Sequence, residues 1–157
     1  MARGGVAVPV DDEGAEARAR GWRTLAALHA CVVDVLERAL QREHGLSVSE
    51  YSVLDVLYRQ DDHCLRMNRL AEALALSRSA TTRLVSRLEK QALLERCLSP
   101  DDRRGIYTEL TAKGSAALEA ARPVHDAALA EGLRVAAEER NLAPLVRALS
   151  AVSRDAP

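Results

Sequence analysis

The stretch that decides the fold is Leu70-Ala71-Glu72-Ala73-Leu74-Ala75-Leu76-Ser77-Arg78-Ser79-Ala80-Thr81-Thr82-Arg83-Leu84-Val85-Ser86-Arg87-Leu88-Glu89. Leu70, Ala71 and Leu74 recur at helical spacing, which predicts a helix from about Asn68, a good N-cap residue, with these three turned inward. Leu76-Ser77 breaks that pattern, and Ser77 caps a further helix running from Arg78 to about Gln91. Small Ala71 lets the two helices approach closely, and Leu76 plugs the turn. On a wheel of about 100° per residue, Ala80, Thr81, Leu84 and Leu88 share one face, with Val85 at its edge. Ser79, Thr82, Arg83 and Ser86 share the other, with Lys90 one turn further on.

That outer face carries short hydroxyls and a guanidinium and no large apolar group. Such side chains suit base edges in a major groove, which is wide enough to admit a helix. Arg78, beside the positive end of the helix dipole, suits a backbone phosphate. Downstream, Leu93–Leu98 and Gly105–Leu110 are β-prone and flank Ser99-Pro100-Asp101-Asp102-Arg103-Arg104, a hairpin with a charged tip. Arg103 and Arg104 have little core role at such a tip and can reach a minor groove, whose narrow negative channel attracts arginine. Asp102 can brace one of them through a bidentate pair.

Outside this segment the chain reads as helix. Residues 1–14 hold glycines, Pro9 and an acidic run, and are expected to form a flexible tail. Leu25, Leu28, Val32, Val35 and Ala39 form an apolar seam in a first helix that ends at Gly45. Ser47 and Glu50 are spaced as a capping box for a second helix carrying Val53, Leu54, Val56 and Leu57. Thr111 caps a long helix to about Leu133, in which Pro123 displaces a backbone hydrogen bond. A last helix to about Ser153 accommodates Pro144 if it starts at Asn141.

Taken with its flanks, the chain over about residues 20–153 resembles the MarR (multiple antibiotic resistance regulator) family of winged-helix transcriptional regulators. The resemblance rests on the stretch quoted above, on Ser99–Arg104, and on Leu110-Thr111-Ala112-Lys113-Gly114. It implies a mostly α fold with a small two- to three-stranded β-wing. The winged helix-turn-helix lobe is expected at 47–110, and the dimerisation helices at 15–46 and 111–157. It further implies a homodimer bound to a pseudo-palindromic operator in double-stranded DNA, most simply as a repressor. The matching DNA-binding positions are Arg78, Ser79, Thr82, Arg83, Ser86 and Arg87, with Arg103 and Arg104 on the wing and Asp102 in support. Members of the family commonly respond to a small phenolic or amphipathic effector. The corresponding pocket falls near Trp22, His29, Tyr51 and Tyr58. The family usually has glycine where Ala92 ends the recognition helix, and often a basic residue where Cys97 stands.

Composition agrees with this class. The chain has 157 residues, 48% hydrophobic and 29% charged, with 28 Ala and 23 Leu favouring helix over sheet. The net charge of −1 is unevenly spread: residues 66–104 hold nine basic and five acidic side chains, the remainder 13 and 18. One electropositive segment therefore sits on an acidic body. Three cysteines do not make a disulfide framework and suggest a reducing, cytoplasmic setting. Val6–Val10 is too short for a signal peptide, and no apolar run is long enough for a membrane span. No paired carboxylates, nucleophile–base arrangement or phosphate-binding glycine loop suggests an enzyme or a cofactor. Cys31, Glu43, His44 and His125 lack metal-ligand spacing, so no metal is expected. Two alternatives remain at this level: a regulator sensing oxidants through a cysteine, with Cys64 the best placed, and a winged-helix interaction module that has lost DNA binding.

Overall fold

A computed structural model describes residues 12–98 and 105–155. Asp101, Asp102, Arg103 and Arg104, the expected wing tip, lie outside the described residues, as does the tail up to residue 11. Helix α1 spans Asp12–His44, α2 Val48–Tyr58, α3 Met67–Ala73 and α4 Arg78–Lys90. Helix α5 spans Ala112–Glu138, passing through Pro123, and α6 spans Ala143–Asp155. Strands β1 (Cys64–Arg66), β2 (Leu94–Leu98) and β3 (Ile106–Leu110) form an antiparallel sheet in the order β1-β3-β2. The fold is mostly α with a small winged sheet, the class the sequence implies.

Local chemistry explains these elements, including where they depart from the sequence reading. Helix α1 starts at Asp12 rather than near Ala15, with the acidic Glu13 in its first turn, where a negative charge complements the dipole. Its buried stripe is Leu28, Val32, Leu36 and Leu40, a straight run at four-residue spacing, while Leu25 stays exposed. Gly45, at φ 64°, ends it as expected. The capping box of α2 is complete: Glu50 N–H donates to Ser47 Oγ at 3.1 Å, and Ser47 N–H donates to Glu50 Oε2 at 2.8 Å. Helix α3 is capped by Arg66, which makes no side-chain cap bond, and not by Asn68. Arg66 closes β1, so the chain passes from strand to helix with no loop residue left to serve as cap. Pro144 is the second residue of α6, inside the first turn, where no intrahelical N–H bond is due.

Two compact units divide the chain. One joins α1 up to Asp34 with the chain from Glu131 onward. Within it Leu28, Val32, Ala136 and Leu142 are buried, and Gly132 lets α5 close on Val32: a Cβ there would stand 3.1 Å from Val32 Cα. The same unit exposes Trp22 (70%), Leu25, Leu149 and Val152 (69%). The other unit, Val35–Ala130, has its core in Leu40, Leu54, Leu57, Leu70, Val85, Leu88, Leu110 and Leu118. Among the described residues no helix is long and apolar enough to cross a membrane.

Candidate nucleic-acid interface

Ser77 sets the position of α4. Its Oγ accepts from Ala80 N–H at 3.2 Å, as a capping serine should. Thr81, Val85 and Leu88 are the buried line of α4, so Val85 lies at the centre of the inner face and Ala80 and Leu84 at its margins. Thr81 can take that central place because its hydroxyl donates to Ser77 O at 3.1 Å, leaving no unsatisfied group inside. The outer face then presents Ser79, Thr82 and Arg83 as exposed side chains, with Arg78 exposed at the first turn. Ser79 Oγ shares a hydrogen bond with Ser77 Oγ at 3.2 Å, and Thr82 Oγ1 donates to Arg78 O at 2.9 Å.

Two of the expected site residues are engaged within the lobe. Ser86 is half-buried, and its Oγ accepts from Arg96 Nη2 at 2.8 Å. Arg96 also pairs with Glu89 at 3.1 Å, so β2 is fastened to the outer flank of α4. Arg87 Nη1 donates to Glu50 Oε1 at 3.3 Å; that carboxylate is 2% exposed and also closes the capping box. Arg87 therefore ties α4 to α2. The structure adds three residues that sequence reasoning missed. Arg66, Asn68 and Arg96 line a hollow of about 280 Å³ together with Met67, Arg78, Thr82 and Ile106. Three guanidinium groups border one hollow beside the outer face of α4, with Arg96 paired to Glu89, and such a cluster can offer hydrogen-bond donors to a phosphate.

The C-terminal end of α4 is held by the residues just after β3. Ala92 takes the left-handed conformation, φ 58°, so the helix ends as it would with glycine and keeps alanine's strain. Thr111 Oγ1 donates to Ala92 O at 2.9 Å and lies 3.1 Å from Leu93 O, and Lys113 Nζ donates to Gln91 O at 2.7 Å. Thr111 Oγ1 also accepts from Gly114 N–H at 3.0 Å, capping α5. Gly114 has no alternative: a Cβ there would stand 2.1 Å from Leu93 O. The Thr111–Gly114 string is thus a clamp on the outgoing carbonyls of α4.

Comparison with known proteins gives the family. The MarR family model matches residues 44–105, the helix-turn-helix and the first strand of the wing. The transcriptional regulator MhqR of Bacillus subtilis is 35% identical over 97 residues, 62% of this chain and 66% of that protein. The chain belongs to the MarR family. The matched stretch spans just under two thirds of MhqR. Solved relatives extend the likeness over the fold. Sco3205 of Streptomyces coelicolor, a MarR family transcriptional regulator solved in complex with DNA, is 26% identical with a TM-score of 0.71, over 97% of this chain and 89% of that one. CouR of Rhodococcus jostii RHA1, solved bound to p-coumaroyl-CoA, is 31% identical with a TM-score of 0.61, over 66% of this chain and 71% of that one.

Of the four expected pocket residues in this MarR-family chain, two belong to each unit. Trp22 and His29 are exposed on the part of α1 that belongs to the first unit. Tyr51 lines a cleft of about 520 Å³ within the second unit, among Asp55, Arg59, Leu74, Arg122 and His125. The Tyr51 ring is buried and stacked on His125 at 4.2 Å. Burial first, then the charges of Asp55 and Asp126, push the Tyr51 phenol above its ordinary 10.0. Tyr58 donates to Glu119 Oε1 at 3.0 Å and lies under the Arg122 guanidinium, 4.7 Å from its ring centre.

The cysteines also depart from expectation. Cys64 is half-buried in β1, with its Sγ 3.7 Å from Cys97 Sγ. Burial and the bond to Cys97 push its thiol up to about 12, so it stays protonated at neutral pH. A protonated thiol reacts with oxidants more slowly than a thiolate. Among the described residues no three His, Cys, Asp or Glu side chains converge to hold a metal ion.

Proposed function

We propose that the chain is a homodimeric, sequence-specific duplex-DNA-binding transcriptional regulator, a repressor released by a small phenolic or amphipathic ligand. The observation that carries this reading is the outer face of α4, where Ser79, Thr82 and Arg83 stand exposed beside Arg78 and the three-arginine hollow. Ser79, Thr82, Arg83 and Ser86 face the base edges, Ser86 after Arg96 turns toward a phosphate. Arg78 and Arg96 hold backbone phosphates. Arg87 serves the protein–DNA surface indirectly, by orienting α4. Arg103 and Arg104, with Asp102 in support, act from the wing.

The dimer is assembled by the helices of residues 15–46 and 111–157. Trp22, Leu25, Leu149 and Val152 leave apolar surface on one unit that a second copy would cover. Two lobes then read half-sites about 34–36 Å apart. The effector site is the cleft beside Tyr51 and Tyr58, where Arg59 and Arg122 exchange their shared partner Asp55 for an acidic head and the Tyr51–His125 stack offers an aromatic surface. CouR was solved with an aromatic acyl thioester bound, which supports this ligand class.

Fluorescence anisotropy on labelled operator duplex tests the reading. Neutralising about 8 phosphates gives a log–log salt slope near −7. Arg83→Ala is expected to cost about 1–3 kcal/mol of discrimination between bases while leaving the salt slope within one unit of the parent. Equal affinity for operator and random duplex would remove the proposal.

A further inference from the structure

The sheet brings two thiols together on strands that are not neighbours. β3 lies between β1 and β2, and Cys64 pairs in register with Glu109 while Cys97 pairs with Tyr107. Glu109 and Tyr107 are two apart, so both cysteines stand on one face of the sheet and lean over its central strand. Their Sγ atoms meet at 3.7 Å, both are half-buried, and both are free thiols.

A disulfide fits this placement poorly. The sulfurs stand at 3.7 Å and would have to close to about 2.05 Å. Closing one would draw β1 and β2 together over β3. A bridging ion asks for no such movement. Two metal–sulfur bonds of about 2.3 Å, the zinc–thiolate length, set the sulfurs at most about 4.6 Å apart, within reach of side-chain rotation. Zinc itself wants four ligands, and among the described residues no third ligand converges on the pair. Two soft sulfurs with no nitrogen or oxygen partner select a linear, soft d10 cation. Asp62, whose Oδ1 accepts from Cys64 N–H at 3.1 Å, and Glu109, opposite Cys64 in register, add negative charge that favours a cation there.

We propose that Cys64 and Cys97 form a two-coordinate site for a soft monovalent d10 cation, which ties β1 to β2 across β3. Binding releases both thiol protons to solvent and forms two metal–sulfur bonds, with no change of oxidation state. The test uses no DNA, so its failure and that of the DNA-binding reading are separate results.

The probe is Ag(I), which binds thiolates without oxidising them, added as nitrate in chloride-free buffer with excess monothiol competitor. Native mass spectrometry of the full chain counts the ions retained, and circular dichroism checks each variant for folding. The parent and Cys31→Ser are expected to retain one ion per chain and to melt at higher temperature when loaded. Cys64→Ser and Cys97→Ser, with the alanine variants as a second pair, are expected to bind about 100-fold more weakly, having lost the intramolecular second ligand. Retention by either single variant, loss of the ion in Cys31→Ser, or a parent that holds none against the monothiol overturns the proposal.

Discussion

Replacing Ala92 by glycine should make the protein more stable, although glycine is ordinarily the less stabilising residue. Ala92 is held at φ 58° at the end of α4, with its N–H bonded to Glu89 O at 2.9 Å and its carbonyl taken by Thr111. The left-handed region costs an L-residue about 1–2 kcal/mol. Glycine removes that strain but adds about 0.5–1 kcal/mol of chain entropy to the unfolded state. The balance is a gain of about 0.5–1 kcal/mol, which for a chain of this length raises Tm by about 1–4 °C. Gly45 supplies the reverse experiment. Its φ is 64° and a Cβ there would meet nothing within 4 Å, so Gly45→Ala introduces strain without a clash. It should lose about the same amount. Both variants are compared with the parent by urea titration at one protein concentration. A lower midpoint for Ala92→Gly, or an unchanged one for Gly45→Ala, would refute the reasoning.

Other substitutions separate structural from functional roles. Gly114→Ala forces a Cβ to 2.1 Å from Leu93 O, so about 2–4 kcal/mol should be lost in the same titration. Arg87→Ala strips the guanidinium from the buried Glu50 carboxylate and should cost about 1 kcal/mol of stability, discounted for Arg87's exposure. Arg83→Ala should move the urea midpoint by less than about 0.5 kcal/mol equivalent and show its effect only on DNA. In an ultraviolet pH titration, the phenol lost in Tyr51→Phe should be one that ionises above 10.0. Because the folded protein holds that phenol neutral, its contribution to stability is full below pH 10 and falls as pH rises toward the folded-state value. A missing transition at or below 10.0 would contradict the burial argument.

Much of the lobe was legible because its signals are local. Ser77 as cap, Ser47 with Glu50 as capping box, Gly45 as terminator and Thr111 at the start of α5 each act over three or four residues. Strand β1 was not legible: three residues become a strand only because β3 pairs with them, and the turn before it relies on His63 at φ 54°. The inner face of α4 was rotated slightly in the sequence reading. Thr81 could be given its central place only once its hydroxyl was known to bond Ser77 O.

The candidate site divides along the same line. That Ser79, Thr82 and Arg83 are exposed follows from periodicity alone. The ties of Ser86 to Arg96 and of Arg87 to Glu50 do not, since they join residues 10 and 37 apart in the chain. The same holds for the hollow formed by Arg66, Arg78 and Arg96, which needs the sheet register before its three cations meet. The Tyr51–His125 stack likewise joins α2 to α5, with no sequence signal to announce it.

Sequence-specific reading of duplex by α4 is the decisive property to measure. The most direct measurement is a competition titration of the full chain between duplex flanking its own gene and random duplex of equal length, at one moderate salt concentration. The account predicts preference for the former by at least about 1,000-fold, with the preference reduced in Arg83→Ala. Equal affinity for the two duplexes would contradict it.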